Sequence, residues 1–239
     1  LARAIEERRQ HADWPLIQEY VAGQGKGVFT LCEHGRVVAW FAHERLRDTR
    51  PSGSGSSLRR SIKLEPRLRE PAERLLAALN WHGPAMVEFR DDGTNPPCLM
   101  EVNGRFWGSL QLGIDAGVNF PLLWVAVLKG ERVEPQAQYR EGIALRWVWG
   151  DLKRFLRIVR GAPAGYPGKY PTVFEGIKEL FGPQPAGTRL EIWRANDMWP
   201  GVGEWAGAFR EFLAWLTRGR KREAIHSPKS KVQSQEAGL

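Results

Sequence analysis

Cysteine is nearly absent: Cys32 and Cys98 stand alone in 239 residues, too few for a disulfide framework and without the CxxC spacing of a zinc site. Both are read as reduced thiols. Histidine is also scarce, and His34, His43 and His82 are scattered among strand and turn patterns with no metal-ligand spacing, so they are read as incidental. No run of about 18 apolar residues exists to span a bilayer as a helix. The opening residues, Leu1 to Arg9, follow a charged helical pattern and not that of a signal peptide, so a cytoplasmic location is the expectation. Acidic residues are in deficit, 27 against 35 Lys and Arg, for a net charge of +8. Half of that excess sits from Arg218 onward, where six basic residues face Glu223 and Glu236. This stretch is rich in Ser, Gln and Lys and is read as a disordered basic tail. The segment Arg218-Gly219-Arg220-Lys221-Arg222 could meet a phosphate backbone, but nucleic acid is not the expected partner.

What the chain does have is material for a core, with 42% hydrophobic residues, 11 Trp and 10 Phe. Residues 1 to 12 read as a helix that stops at Trp14-Pro15. Residues 16 to 21, 27 to 32 and 36 to 42 read as three strands of an antiparallel meander, the last two joined through Glu33-His34-Gly35. A Gly/Ser loop follows, Asp48 to Ser57. A helix is predicted over Glu65 to Asn80, with Pro66 and Pro71 in its first turns and Leu68, Leu75, Leu76 and Leu79 on one stripe. Two short apolar runs, Ala85 to Phe89 and Cys98 to Val102, flank a turn-rich segment. Further helices are predicted over Gly108 to Ala116 and Phe120 to Lys129. Beyond them lie a strand over Ile143 to Trp149, a helix capped by Asp151 and running to about Arg160, and a final helix over Ala206 to Leu216. The fold class is α+β. The expected organisation is 1–160, a C-terminal extension over 161–217, and the tail 218–239. Residues 161 to 205, rich in Gly and Pro, receive no chemistry.

The two short runs carry Glu88, Glu101 and Asn103, where carboxylates are normally unwelcome. If the runs pair as a hairpin centred between Thr94 and Asn95, Glu88 faces Glu101, and Asn103 lies on the same face one step along. Opposed carboxylates repel unless a proton or cation lies between them. Their oxygens and the Asn amide suit Mg²⁺ or Mn²⁺. A solvent-facing hairpin kept polar by its glutamates explains the same pattern equally well.

Val87-Glu88-Phe89 followed by Leu99-Met100-Glu101-Val102-Asn103-Gly104-Arg105-Phe106-Trp107-Gly108-Ser109 resembles the signature of the ATP-grasp superfamily. It is similar in particular to the carboxylate–amine ligase branch related to carbamoyl-phosphate synthetase and D-alanine–D-alanine ligase. The resemblance implies ATP and Mg (or Mn) as cofactors, with Glu88, Glu101 and Asn103 as metal ligands. Arg105 would steady the transferring phosphoryl group; pairing with Glu101 is its other explanation. Ile17 to Gly23 resembles the family's hinge strand, implying that Glu19, Tyr20 and Val21 line the adenine pocket through their backbone. Where many members place a ribose-binding Glu, this chain reads Gln24-Gly25-Lys26-Gly27, leaving Lys26 or Gln24 to contact the nucleotide. Arg45 and Arg47 are candidate anion ligands, and the Gly/Ser loop is a candidate anion cradle, a lid or a plain linker.

The resemblance covers about residues 14 to 160 and only the C-terminal half of the family's fold, so the N-terminal part is expected to be missing from this chain. The implied activity is ATP-dependent ligation: a carboxylate becomes an acyl phosphate and an amine or similar nucleophile displaces phosphate. Its partners would be small-molecule carboxylate and amine substrates, with a missing N-terminal half or a second copy of the chain. The competing class is a truncated, non-catalytic remnant or a nucleotide- or nucleic-acid-binding module with a basic tail. A non-catalytic remnant would have little physical reason to keep opposed carboxylates.

Overall fold

The computed structural model describes residues 19, 21–53, 55–163, 165–166 and 168–210. The expected helix over 1–12, all of the expected strand over 16–21 except Glu19 and Val21, and the basic tail lie outside them. The chain divides into two compact units, Leu1–Glu191 and Ile192–Leu239.

The first unit is built on a seven-stranded sheet of order β5-β4-β1-β2-β3-β6-β7. Its strands are β1 (Gln24–Glu33), β2 (Arg36–Arg47), β3 (Leu58–Ser61), β4 (Gly83–Asp91), β5 (Cys98–Asn103), β6 (Ala144–Arg146) and β7 (Arg189–Leu190). All neighbours are antiparallel except β6 and β7. β1 and β2 turn through His34 and Gly35, both at positive φ (47° and 80°). That is the two-residue geometry whose twist matches the flanking strands.

Helix α1 (Pro66–Ala78) starts on Pro66, whose missing N–H costs nothing there. It buries Leu68, Ala72 and Leu76 against Val28, Trp40, Ala85, Val87 and Phe89 on one sheet face. Helices α2 (Leu110–Ala116) and α3 (Phe120–Leu128) cover part of the opposite face, with Leu112, Val118, Phe120 and Trp107 packed on Phe29, Leu31, Phe41 and Met86. The Asn119 side chain accepts from the Leu122 amide at 3.1 Å and so caps α3.

The region after β6 departs from expectation. The strand predicted over Ile143 to Trp149 is confined to β6, and helix α4 (Val148–Arg160) begins with Trp147 as its N-cap. Asp151 is no cap: its buried carboxylate accepts from Arg47 at 2.8 Å and Arg146 at 2.6 Å. Two buried guanidiniums are stronger partners for it than backbone amides. Helix α5 (Val173–Phe181) opens with a capping box between Thr172 and Glu175. In the second unit, residues 199 to 210 are helical. Among the described residues no single helix is long and apolar enough to cross a membrane, although α2 and α3 together, bent by 93°, would pass on length and composition alone.

Candidate functional site

The uncovered part of the second sheet face holds a cavity of about 450 Å³. Strand register decides what lines it. Gly27 of β1 pairs with His43 on one side and Glu88 on the other. Glu88 in turn pairs with Glu101, and Met86 with Asn103. Side chains alternate along a strand, so His43 and Arg45, Gly25 and Gly27, Glu88, and Glu101 with Asn103 all share this face. The expected facing of Glu88 and Glu101 is present. The register then shifts by one between Glu88 and Phe89, and this bulge leaves both Met100 and Glu101 on the cavity wall.

The two β1 glycines make room. A Cβ on Gly27 would sit 2.6 Å from the Phe29 ring and 3.0 Å from His43, and one on Gly25 would sit 3.0 Å from Arg45 Cδ. Arg45 can therefore cross β1 and form an ion pair with Glu88, both side chains being largely buried. Burial raises the Glu88 pKa above its ordinary value. Arg45 opposes that rise, and nearby Glu101 adds to it. Along β5, Asn103 Nδ2 donates to Glu101 Oε1 at 2.9 Å and Arg105 Nη2 donates to Asn103 Oδ1 at 3.2 Å. Arg45, Arg59, Arg90 and Arg105 line the cavity against Glu88 and Glu101, so the lining carries a cationic excess suited to an anionic ligand.

Lys26 projects to the other sheet face, where its ammonium donates to Asp91 at 2.8 Å; it does not line the cavity. Arg47 is likewise committed to Asp151 and Gln184. Glu19 is exposed and Val21 half-buried, while Tyr20 lies outside the described residues. The Gly/Ser loop walls the cavity through Gly53, Gly55 and Ser56. Lining residues to which the sequence assigns no role include His43, Arg59, Arg90 and Trp107. His43 was within reach, because alternation puts it on the face of Arg45. Arg59 pairs with Arg45 across β2 and β3, but that needs a register hidden by the loop.

Two carboxylates and an amide gathered at one edge of the cavity suit a hard divalent cation that keeps other positions for substrate oxygens. Among the described residues no group of three or more His, Cys, Asp or Glu forms a complete cage, so any metal held here would share its coordination with a ligand.

Residues 12–150 match the family described as "ATP-grasp in the biosynthetic pathway with Ter operon". With more than half of its length matched, the chain belongs to this ATP-grasp family. No curated protein matches it. Similar solved structures include a biotin carboxylase complex with β,γ-ATP from Campylobacter jejuni, at 16% identity and a TM-score of 0.44, over 53% of this chain and 30% of that one. A pyruvate carboxylase from Rhizobium etli aligns at 19% identity and a TM-score of 0.42, over 60% of this chain and 14% of that one. The phosphoribosylaminoimidazole carboxylase ATPase subunit of Aquifex aeolicus aligns at 12% identity and 0.43, over 51% and 39%. The chain thus spans well under half the length of these proteins.

Proposed function

We propose that this chain supplies the ATP- and metal-binding part of an ATP-dependent ligase, in which a carboxylate is activated as an acyl phosphate and then attacked by an amine or similar nucleophile. The observation that carries this reading is the cross-strand facing of Glu88 and Glu101 beside Arg45, Asn103 and Arg105. Glu88, Glu101 and Asn103 would hold Mg²⁺ or Mn²⁺, which when bound neutralises phosphate charge. Arg105, on the rim, and Arg45, on the floor, present guanidinium forks to the oxygens of a phosphoryl group in transfer. Such transfer depends mostly on positioning and charge stabilisation, and a largely buried Arg45 gives both. The backbone of Glu19 to Val21 would take the adenine, with Lys26 left to its structural pairing with Asp91.

The test is calorimetric titration of the full chain with a non-hydrolysable ATP analogue, with and without Mg²⁺, alongside a Glu88→Gln/Glu101→Gln double variant. Magnesium-dependent binding by the wild type that the double variant loses is the expected result. Binding that is indifferent to magnesium or to both glutamates would overturn the reading.

A further inference from the structure

The inner end of the cavity has hydrogen-bond donors without acceptors. Arg59, His43 and Trp107 form part of its wall and are only 4%, 2% and 6% exposed. Arg59 Nε, both ring nitrogens of His43 and Trp107 Nε1 are buried with no hydrogen-bond partner among the described residues. They are close together. Phe29 has its ring centroid 4.6 Å from that of His43 and 4.5 Å from that of Trp107. Arg59 and His43 are diagonal neighbours on adjacent strands, since Arg45 pairs with Arg59 and His43 with Ser61.

Native interiors leave few such groups unpaired, because each has lost its hydration without replacement. Burial, then the charges of Arg59 and Arg45, push the His43 pKa well below its ordinary value. The ring is therefore neutral, with one N–H donor and one acceptor nitrogen. The set then offers three N–H donors from three side chains, one of them a guanidinium. Arg59 is already oriented: its Nη1 donates to Ser56 O at 2.9 Å and it pairs with buried Glu191. The groups that accept several N–H bonds at once beside a guanidinium are a carboxylate and a phosphate; on the ligase reading the nucleotide's phosphates belong at the metal edge, which leaves a carboxylate for this end.

The metal edge at Glu88, Glu101 and Asn103 lies across β1 from His43 and Arg59. On the ligase reading above, on which this inference rests, the reacting carboxylate belongs near that edge, with Arg45 and Arg105. We propose that Arg59, His43 and Trp107 form a subsite for a second, non-reacting carboxylate, so that the acyl substrate is a dicarboxylic acid. Glu191 lies past the end of the family match at residue 150; it is the positioning residue that fixes Arg59 within this subsite.

The experiment titrates the ¹⁵N-labelled full chain with succinate, glutarate and malate, and separately with acetate and inorganic phosphate at equal ionic strength. It follows the Trp107 indole N–H resonance, assigned with a Trp107→Phe variant. The dicarboxylates should move this resonance saturably, with affinity about tenfold or more below wild type in Arg59→Lys and in His43→Gln, as loss of a charged or buried hydrogen bond predicts. The Glu88→Gln/Glu101→Gln variant should keep the shift, which separates the two readings. If magnesium-dependent nucleotide binding is absent while dicarboxylates still move the resonance, the ligase reading fails and the subsite stands. If nucleotide binding is intact but no dicarboxylate moves it, or acetate or phosphate does so as well as they do, the subsite is overturned.

Discussion

Replacing Arg45 by Met keeps the aliphatic bulk that crosses β1 and removes the charge that compensates Glu88. The two side chains are 17% and 14% exposed, so their pairing is little screened. Removing one partner of such a pair typically costs about 3 kcal/mol, because the other charge is left buried and alone. Glu88 has an escape, since its pKa already lies above the ordinary value through burial and Glu101. Without Arg45 that pKa rises further, and Glu88 is neutralised by taking a proton. The native state then binds more protons than the unfolded state between the two pKa values, so stability falls as pH rises through that window. In urea titrations Arg45→Met should therefore be mildly destabilised at pH 5 and destabilised by about 3 kcal/mol at pH 8. A second substitution, Glu88→Gln, should recover most of that loss at pH 8. Millimolar Mg²⁺ should also stabilise Arg45→Met at pH 8 if the donor set accepts a cation. An equal loss at both pH values, with no recovery in the double variant, would refute the claim that the Glu88 charge is what Arg45 compensates.

Three further outcomes follow from the same geometry. Gly27→Ala would drive a methyl against the Phe29 and His43 rings and should cost about 1–3 kcal/mol, read as a lower urea midpoint; a neutral result would mean that the floor is loosely packed. His43 has a depressed pKa, so the unfolded state binds a proton that the folded state refuses. Stability should fall as pH drops below about 6.5, by up to about 1.4 kcal/mol per unit, and His43→Phe should flatten that slope relative to wild type. Glu191→Gln leaves Arg59 buried without a counter-charge and should destabilise the chain by about 3 kcal/mol; a change under about 1 kcal/mol would mean that the pair is not what holds β7 on the sheet.

The catalytic-looking face was legible because period-two alternation and a turn centre are both written in sequence. From them came the pairing of Glu88 with Glu101 and the shared face of Asn103. The shift at Met100 was not legible, since a bulge is settled by packing on both sides of β5 and not by its six residues. Distance along the chain from the hinge points to Lys26 but ignores face; alternation from Gly27 sends it toward Asp91 instead. Metal spacing gives His43 no role, whereas its place two residues before Arg45 puts it on the cavity floor. Arg59 and Glu191 needed the partners of β3, a strand of four residues, and β7, a strand of two. Neither is long enough to show a period.

The loop between β2 and β3 shows how a composition that reads as mobile can be tethered from behind. Its Gly and Ser content suited a lid, a cradle or a linker alike. In the fold, Arg154 Nη1 donates to Asp48 O at 2.9 Å, Arg157 Nη1 to Thr49 O at 2.8 Å, and the Tyr166 hydroxyl to Pro51 O at 3.2 Å. Arg154 is itself held by two bonds to Glu179. The first half of the loop is thus fastened to α4 and its neighbours, while Gly53, Gly55 and Ser56 face the cavity. The Gly53 amide bonds Arg50 O at 2.8 Å and the Ser57 amide bonds Arg47 O at 2.9 Å, so their hydrogen exchange reports whether the tether sets the loop's shape. Losing one charged bond to a carbonyl weakens local closure by about 1.5–3 kcal/mol. Arg154→Met or Arg157→Met should therefore speed exchange at Gly53 and Ser57 by about tenfold or more, with amides of β1 unaffected. Unchanged exchange in a folded variant would mean that the loop holds its form without α4, and the wall of the cavity would then be a property of the Gly/Ser segment alone.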